Sequence, residues 1–185
     1  ILDYVNIMTT GNPIDWGDLH QAQDYETSTV TNGVRGIIAG GNTSQNISYI
    51  TLATKGNSQD FGDVSGTQRR AMAGMSDSTR GVFANGAESP SVQDGNSKNT
   101  IDYIQIMTLG NTVDFGDTSD GKSFCSAMCS KTRGVYAGGR TAPNDDSVNI
   151  IEFVEIATTG NIQDFGDMAQ TTDGSYGASS GHGGL

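Results

Sequence analysis

The sequence is short of the features that mark several large protein classes. Its 185 residues include only two cysteines, three prolines and two histidines, and 34% are hydrophobic. No apolar run approaches the roughly 18 residues needed to cross a bilayer, and no signal-like segment begins the chain. Basic residues are few and the net charge is −11. We therefore predict no membrane insertion and no nucleic-acid partner.

Catalytic and metal-binding patterns are equally scarce. His20 and His182 are the only histidines, and no Ser/His/Asp arrangement can be placed around them. Cys125 and Cys129 have a spacing that matches no zinc pattern, and on a strand their Cα atoms would lie about 13 Å apart, too far for a disulfide. We predict that both are small buried residues. The sequence indicates no catalytic residue, no cofactor and no metal site.

One pattern does stand out, because it occurs four times. The copies are ILDYVNIMTTGNPIDWGDL from Ile1, ISYITLATKGNSQDFGDV from Ile47, IDYIQIMTLGNTVDFGDT from Ile101 and IEFVEIATTGNIQDFGDM from Ile151. Their shared glycines, Gly11, Gly56, Gly110 and Gly160, are 45, 54 and 50 residues apart. A period of this size is typical of propeller blades and kelch units. A repeat array also tolerates the low hydrophobic content, since each unit only has to cover its neighbour.

Each copy begins with an aromatic strand whose two faces are both apolar. In the third copy Tyr103 points to one face while Ile104 and Ile106 serve the other, as expected for a sheet enclosed between two neighbours. A Gly-Asn pair follows, and we predict that it forms a tight II′ hairpin turn. The returning strand carries Asp-aromatic-Gly-Asp, in which the aromatic packs on the next unit and the glycine permits a bulge. Its aspartates are too few to hold calcium.

A second, glycine-rich strand pattern recurs three times, as VRGIIAGG from Val34, TRGVFANG from Thr79 and TRGVYAGG from Thr132. Its small residues allow strands to crowd together. Arg35, Arg80 and Arg133 recur at its start. We expect each to pair with a nearby repeat aspartate, and the alternative is an anion site made by arginines in register around a pore.

The loops that follow these strands vary most between copies, over residues 42–46, 87–99 and 140–149. Variable loops on one side of a repeat array are often where recognition is built. They can equally be tolerated surface insertions, and the sequence leaves both readings open.

The repeat resembles the kelch repeat of β-propellers. The residues that carry the resemblance are Gly40-Gly41 with Tyr49 and Phe61, Asn85-Gly86 with Tyr103 and Phe115, and Gly138-Gly139 with Phe153 and Phe165. It departs from kelch in having Phe in most copies where kelch has Trp, Asn85 for a glycine, and Phe153 at an aromatic position. The residue pattern of the repeat is similar to that of kelch-like repeats in structural and tail-fibre proteins of marine bacteriophages, notably those that infect cyanobacteria.

The predicted fold is therefore all-β, a β-propeller of kelch-like four-stranded repeats of 45–54 residues, and part of a longer chain. We predict one array over residues 1–185 with units 1–46, 47–100, 101–150 and a partial unit 151–185. The segment SYGASSGHGGL resembles the start of a further small-residue strand.

The resemblance implies a non-enzymatic virion module outside the cell, in a phage tail fibre or attachment protein. Its expected partners are other virion proteins or a host-surface carbohydrate or protein receptor, and homo-oligomerisation is compatible with it. A purely architectural propeller is the first alternative. An extracellular glycan-degrading enzyme is the second, although Asp145-Asp146 is the only acidic cluster that breaks the repeat symmetry.

Overall fold

The computed structural model describes residues 1–88 and 96–179, and within these the regular structure is entirely β. The all-β prediction is confirmed. No helix in the described part of the chain is long and apolar enough to cross a membrane.

Eighteen strands follow one another along residues 1–88 and 96–179. They are β1 Leu2–Tyr4, β2 Ile14–Gly17, β3 Ser28–Thr31, β4 Arg35–Ala39, β5 Asn46–Thr51, β6 Gln59–Asp63, β7 Arg69–Arg70, β8 Ala73–Ser76, β9 Arg80–Ala84, β10 Ala87–Glu88, β11 Thr100–Gln105, β12 Val113–Asp117, β13 Lys122–Ser123, β14 Ser126–Cys129, β15 Arg133–Ala137, β16 Arg140–Thr141, β17 Asp146–Glu155 and β18 Gln163–Thr172.

Three antiparallel sheets repeat the same strand order. The first sheet runs β3-β4-β5-β6, the second runs β8-β9-β11-β12, and the third contains β14-β15-β17-β18 with β13 and β16 added along β17. The hairpin β1-β2 corresponds to the last two strands of such a sheet, and β7 pairs with β10. In each sheet a strand rich in small residues, β3, β8 or β14, lies at one edge and the Asp-aromatic-Gly-Asp strand at the other. We call β3, β8 and β14 the small-residue strands.

Each sheet crosses the boundary between two predicted units. The second sheet takes β8 and β9 from the end of unit 47–100, while most of β11 and all of β12 lie in unit 101–150. Neighbouring units are thus joined through shared sheets, and the division into units stays a prediction.

The hydrophobic core lies between successive sheets. Phe61 of the first sheet packs with Phe83, Ile104 and Ile106 of the second. On the opposite face of the second sheet, Phe115 belongs to a cluster that includes Tyr136, Val154 and Ile156 of the third sheet. The prediction that both faces of the aromatic strand are apolar is confirmed for the second sheet, because Tyr103 packs against this second cluster.

A β-bulge recurs at the repeated aromatic. Ile47 pairs with Gly62 and Ser48 with Asp60, so that Phe61 is left over, and the register shifts at the equivalent place opposite Gly17, Gly116 and Gly166. The bulge predicted from the glycine is confirmed.

The Gly-Asn pair does not form the predicted II′ turn. Gly56, Gly110 and Gly160 have φ values of 142°, 148° and 157°, whereas the first central residue of a II′ turn needs φ near +60°. The chain reverses earlier instead, with Thr54 N–H donating to the Thr51 carbonyl at 3.1 Å. The prediction was wrong because the dipeptide is held by a different segment of the chain.

That segment is the Asp-aromatic-Gly-Asp strand of the preceding repeat, and we call the contact the Gly-Asn clamp. Gly110 N–H donates to the Phe61 carbonyl at 2.8 Å, Asp63 N–H to Asn111 Oδ1 at 3.0 Å, and Thr112 N–H to the Asp63 carbonyl at 2.9 Å. The same three bonds recur in two further clamps, from Gly56-Asn57-Ser58 to Trp16 and Asp18, and from Gly160-Asn161-Ile162 to Phe115 and Asp117.

Close backbone approach explains the glycine of the acidic strand. A Cβ on Gly62 would lie 2.4 Å from the Gly110 carbonyl oxygen, and one on Gly116 would lie 2.4 Å from that of Gly160. Both glycines also have φ near +150°, where side chains are strained. Glycine at this position is therefore required twice over, by conformation and by the neighbouring repeat.

Among the described residues, the recurring arginines do not form the predicted ion pairs with repeat aspartates, and the anion-site alternative stays a prediction. Arg35 stacks on Tyr49 at 4.4 Å and donates to the Ile106 carbonyl of the next sheet at 3.1 Å. Arg80 does the same with Tyr103 and the Ile156 carbonyl, while Arg133 stacks on Phe153 and pairs with Glu155. No repeat aspartate is involved, so each arginine is an aromatic-stacked tie within or between repeats.

Phe115→Ala should lower the free energy of unfolding by about 3 to 5 kcal/mol, because it empties a packed position between two sheets. Phe115 is 3% exposed, whereas the equivalent Phe165 is 56% exposed, so Phe165→Ala is the matched control. Denaturant unfolding of both variants measures the difference. Equal losses would contradict the assigned burial.

Gly62→Ala should destabilise the protein by about 1 to 3 kcal/mol more than Gly166→Ala, because a methyl group would collide with the clamp. The two glycines have similar φ values, 149° and 141°, so backbone strain largely cancels in the comparison. Only Gly62 has a neighbouring main chain within reach of a Cβ. Thermal unfolding of the two variants measures the effect, and equal melting temperatures would refute the clamp.

Candidate functional site

The variable loops and the beginnings of the small-residue strands lie at the same end of the strands in all three sheets. Ser28 pairs with Ala39, Ala73 with Ala84, and Ser126 with Ala137. Each small-residue strand therefore begins where the next strand ends and its variable loop leaves. We call this end of the sheets the loop face. The recurring arginines begin the second strand of each sheet, at the opposite end of the strands. They are therefore separated from the loop face.

A cavity of about 230 Å³ opens among the small-residue strands. Four equivalent segments line it, at residues 26–29, 71–74, 124–127 and 174–177. One segment comes from each of the three sheets, and the last follows β18. Because every repeat contributes the same stretch, the cavity belongs to the array as a whole and to no single sheet.

The first residues of these segments form a ladder of main-chain hydrogen bonds. Ala71 N–H donates to the Glu26 carbonyl at 3.0 Å, Phe124 N–H to the Ala71 carbonyl at 3.3 Å, and Gly174 N–H to the Phe124 carbonyl at 3.1 Å. All four are left-handed, with φ between 54° and 62°. Three of them are not glycine, and such residues cluster at functional positions.

The side chains at these four positions differ, which gives the cavity a varied lining. Glu26 pairs with Arg70 at 3.5 Å, and the Phe124 ring lies 5.4 Å from the Arg140 guanidinium. Tyr176 lines the cavity and is 98% exposed, and Tyr25, beside Glu26, is 73% exposed. Exposed aromatic rings thus lie beside hydroxyl and carboxylate groups, a combination that suits recognition of a small polar ligand.

Arg140 ties the third variable loop to the cavity wall. It pairs with Asp145 at 3.2 Å and with Asp173 at 3.0 Å. The hydrogen bond from Ser147, followed by the Arg140 bond and charge, lowers the pKa of Asp173 below its ordinary value, although burial acts the other way. Asp145, half of the acidic pair noted in the sequence, is therefore neutralised by an arginine.

The first variable loop is anchored in the same way by Asp24. Thr43 Oγ1 donates to Asp24 Oδ1 at 2.9 Å, and polar side chains including Gln21, Gln45 and Gln68 line an open groove beside the loop. Of the second variable loop, residues 89–95 lie outside the described residues, and Glu88 and Lys98 on either side form an ion pair at 3.0 Å. The segment 180–185, with His182, also lies outside them.

Cys125 lies on the cavity wall, and both cysteines are free and half-buried. Burial raises the pKa of the Cys125 thiol to about 11, a shift only partly offset by a hydrogen bond from Asn85. Its thiolate fraction at neutral pH is therefore very small, and the side chain serves as packing.

Buried ion pairs lie between the sheets and support the loop face. Arg69 and Asp102 meet at 2.6 Å with both side chains buried, and Lys122 and Glu152 meet at 2.5 Å in the equivalent place. Tyr136 also donates to Glu152, at 2.6 Å. Burial acts to raise the pKa of Glu152, but hydrogen bonds from Lys122, Ser119 and Tyr136 outweigh it and lower that pKa.

Sequence reasoning located the loops but missed the cavity. Glu26, Ala71 and Phe124 share a conformation and a hydrogen-bond ladder but no residue type, so no motif marks them. The buried ion pairs were missed as well, because their partners lie about 30 residues apart and differ between repeats. In the described part of the chain, no group of three or more His, Cys, Asp or Glu side chains is placed to hold a metal ion.

Comparison with protein-family models returns no match to this chain. Comparison with curated proteins also returns no match.

Glu152→Gln should destabilise the protein by about 3 to 5 kcal/mol at neutral pH, because it leaves the Lys122 charge buried without its partner. The pKa of Glu152 is lowered on folding from its ordinary 4.5. Its contribution to stability is therefore full above pH 4.5 and declines as the pH falls through the folded value. Denaturant unfolding of both proteins across this range should show the gap closing in acid. A gap independent of pH would contradict the ionised pair.

Proposed function

We propose that the chain is a non-enzymatic β-propeller module of the kelch-like type found in structural and tail-fibre proteins of marine bacteriophages. In this proposal it works outside the cell as part of a virion and binds a host-surface carbohydrate at the loop face. The virion assignment rests on the resemblance of the repeats.

The propeller geometry is favoured by the way the sheets are joined. Successive sheets pack face to face. Equivalent clamps join them at the Asp-aromatic-Gly-Asp strands, and an equivalent hydrogen-bond ladder joins them where the small-residue strands begin. Gly41, Gly86 and Gly139 add a further repeated tie, each donating to a main-chain carbonyl of the following repeat at 2.9–3.0 Å. A radial arrangement of blades needs repeated contacts of this kind at both edges of each sheet.

Carbohydrate binding is favoured by one observation above the others. Tyr176 and Tyr25, the two tyrosines outside the repeat positions, are strongly exposed at or next to the cavity of the loop face. Aromatic rings offer apolar faces for stacking, and Ser, Thr and Glu side chains beside them offer hydrogen bonds. A neutral ligand fits better than an acidic one, because the chain has a net charge of −11 and would repel an anion.

The architectural alternative has an observation of its own. Large apolar side chains are exposed at the ends of the array, among them Ile7, Met8 and Phe165. Patches of this kind mark protein–protein contacts. In that alternative, the module touches only other virion proteins.

Tyr176→Ala should weaken carbohydrate binding by about tenfold, because it removes an exposed ring that would anchor the ligand. The measurement is a glycan array followed by titration of the best neutral glycan, with host-cell binding in parallel. Leu109→Ala, which truncates an exposed residue at the end of the strands away from the loop face, is the control and should bind normally.

A variant with loop 87–99 shortened to five residues tests the loops in the same assays. Loss of binding with an unchanged melting temperature would assign recognition to the loop face. If the unmodified protein binds no glycan and no host cell, the carbohydrate proposal fails and the architectural alternative replaces it.

A further inference from the structure

An open groove on the loop face is lined by polar side chains. It has a volume of about 660 Å³ and lies beside the first variable loop. Asn46 at the start of β5 pairs with Asp63 at the end of β6, which places the groove at the loop-face end of the first sheet. We call it the glutamine groove, and its lining residues are Gln21, Thr43, Ser44, Gln45, Asn46, Asp63, Thr67 and Gln68.

Three glutamines from separate segments of the chain meet at this groove. Gln21 follows β2, Gln45 precedes β5 and Gln68 follows β6. All three are exposed, and within the described part of the chain their side chains form no hydrogen bond. Gln23 is different, because its amide donates to main-chain carbonyls, that of Asn46 among them at 2.9 Å. The three groove glutamines therefore have their donors and acceptors available to a ligand.

The main chain around the glutamine groove is held in place by hydrogen bonds. Val64 N–H donates to the Gln45 carbonyl at 2.8 Å, and Asn46 N–H donates to Ser44 Oγ at 3.0 Å. Asn46 Nδ2 also donates to Asp60 Oδ1 at 3.0 Å. A groove whose walls are fixed before binding loses less conformational entropy when a ligand enters.

The chemistry of the lining favours a neutral ligand with many hydroxyl groups. A side-chain amide both donates and accepts hydrogen bonds, as a sugar hydroxyl does. The described lining residues include no apolar side chain, so they form no pocket for the apolar anchors that hold protein partners. They include one carboxylate, that of Asp63, which is too few for a calcium ion.

A short ridge connects the glutamine groove to the cavity among the small-residue strands. Thr43 lines the groove and Glu26 lines the cavity. Thr43 Oγ1 donates to Asp24 Oδ1 at 2.9 Å, and the Cα atoms of Asp24 and Glu26, two residues apart, are separated by at most about 7 Å. Tyr25 stands between these two residues and is 73% exposed. One ligand of modest length can therefore contact the cavity, the tyrosine and the groove together.

We propose that the glutamine groove is a second subsite of the loop face, and that the module binds a neutral oligosaccharide extending from the cavity past Tyr25 into the groove. This inference rests on the carbohydrate function proposed for the cavity. Tyr25 supplies an aromatic face for stacking, and the groove supplies hydrogen bonds to the sugar units that follow. Asp63 in the groove and the net charge of −11 disfavour an acidic chain, because both repel anions.

The length of the oligosaccharide is the variable that tests the second subsite. The probes are neutral glucose, mannose and galactose series, each from the monosaccharide to the hexasaccharide, titrated by calorimetry. A neutral glycan selected by the array is titrated in the same way with its own shortened forms. Unmodified protein should bind the hexasaccharide of the active series about tenfold more tightly than the monosaccharide, because the longer chain gains hydrogen bonds in the groove.

Substitutions then separate the two subsites. A triple variant with Gln21→Ala, Gln45→Ala and Gln68→Ala should lose the gain with length. Its affinity for the monosaccharide and its melting temperature should not change, because the three side chains are exposed and make no hydrogen bond in the described structure. Tyr176→Ala acts on the cavity and should weaken the binding of every length by the same factor.

The matched control truncates two exposed glutamines at the end of the strands away from the loop face. It combines Gln105→Ala with Gln163→Ala, and its affinities should equal those of the unmodified protein at every length. A gain with length that disappears in the triple variant alone would establish the second subsite.

Two results would overturn this inference while leaving the proposed function in place. One is monosaccharide binding with no gain at greater length. The other is a gain that the triple variant retains. If neither the array nor any probe of any length shows binding, the carbohydrate function itself fails, and the second subsite fails with it.

Discussion

The Gly-Asn clamp is the contact on which the rest of the array depends. It joins the Asp-aromatic-Gly-Asp strand of one repeat to the Gly-Asn segment of the next through three main-chain N–H groups, two of which donate to main-chain carbonyls and one to the asparagine side chain. It also explains three features of the motif together: the extended glycine, the bulge at the aromatic, and the second glycine that lets two backbones meet. With these strands fixed in this way, Phe61 and Phe115 are held between two sheets, where their burial stabilises both.

Because the ties between repeats are largely main-chain hydrogen bonds, side chains at the loop face are left free to differ. Glu26, Ala71 and Phe124 have one conformation and one ladder of bonds but three unrelated side chains. The same holds for the loops, which are anchored near their ends by Asp24, by the pair of Glu88 and Lys98, and by Arg140. A constant frame with a variable face is the arrangement that suits recognition.

Much of the fold could be predicted from the sequence, because strand alternation and repeated aromatics are local signals. The strands, the bulge and the burial of Phe61 and Phe115 follow from them. The Gly-Asn turn was wrong, since the dipeptide suits a tight turn equally well and its true partner lies in another repeat. The arginine contacts also depend on tertiary neighbours, an aromatic ring across the sheet and a carbonyl of the next sheet. The cavity has no sequence signature, because its defining residues share only a backbone conformation.

The buried polar contacts between sheets have a consequence for folding fidelity. Units this similar risk pairing out of order while the chain collapses, a common failure of repeat proteins. Here the successive contacts have different partners: the exposed His20 with Ser48, then the buried pair Arg69 with Asp102, then the buried pair Lys122 with Glu152. Packing Arg69 or Lys122 against the first sheet would place it opposite Ser48 and leave its charge unmatched. We expect these contacts to disfavour arrangements in which the later repeats pack against the first sheet.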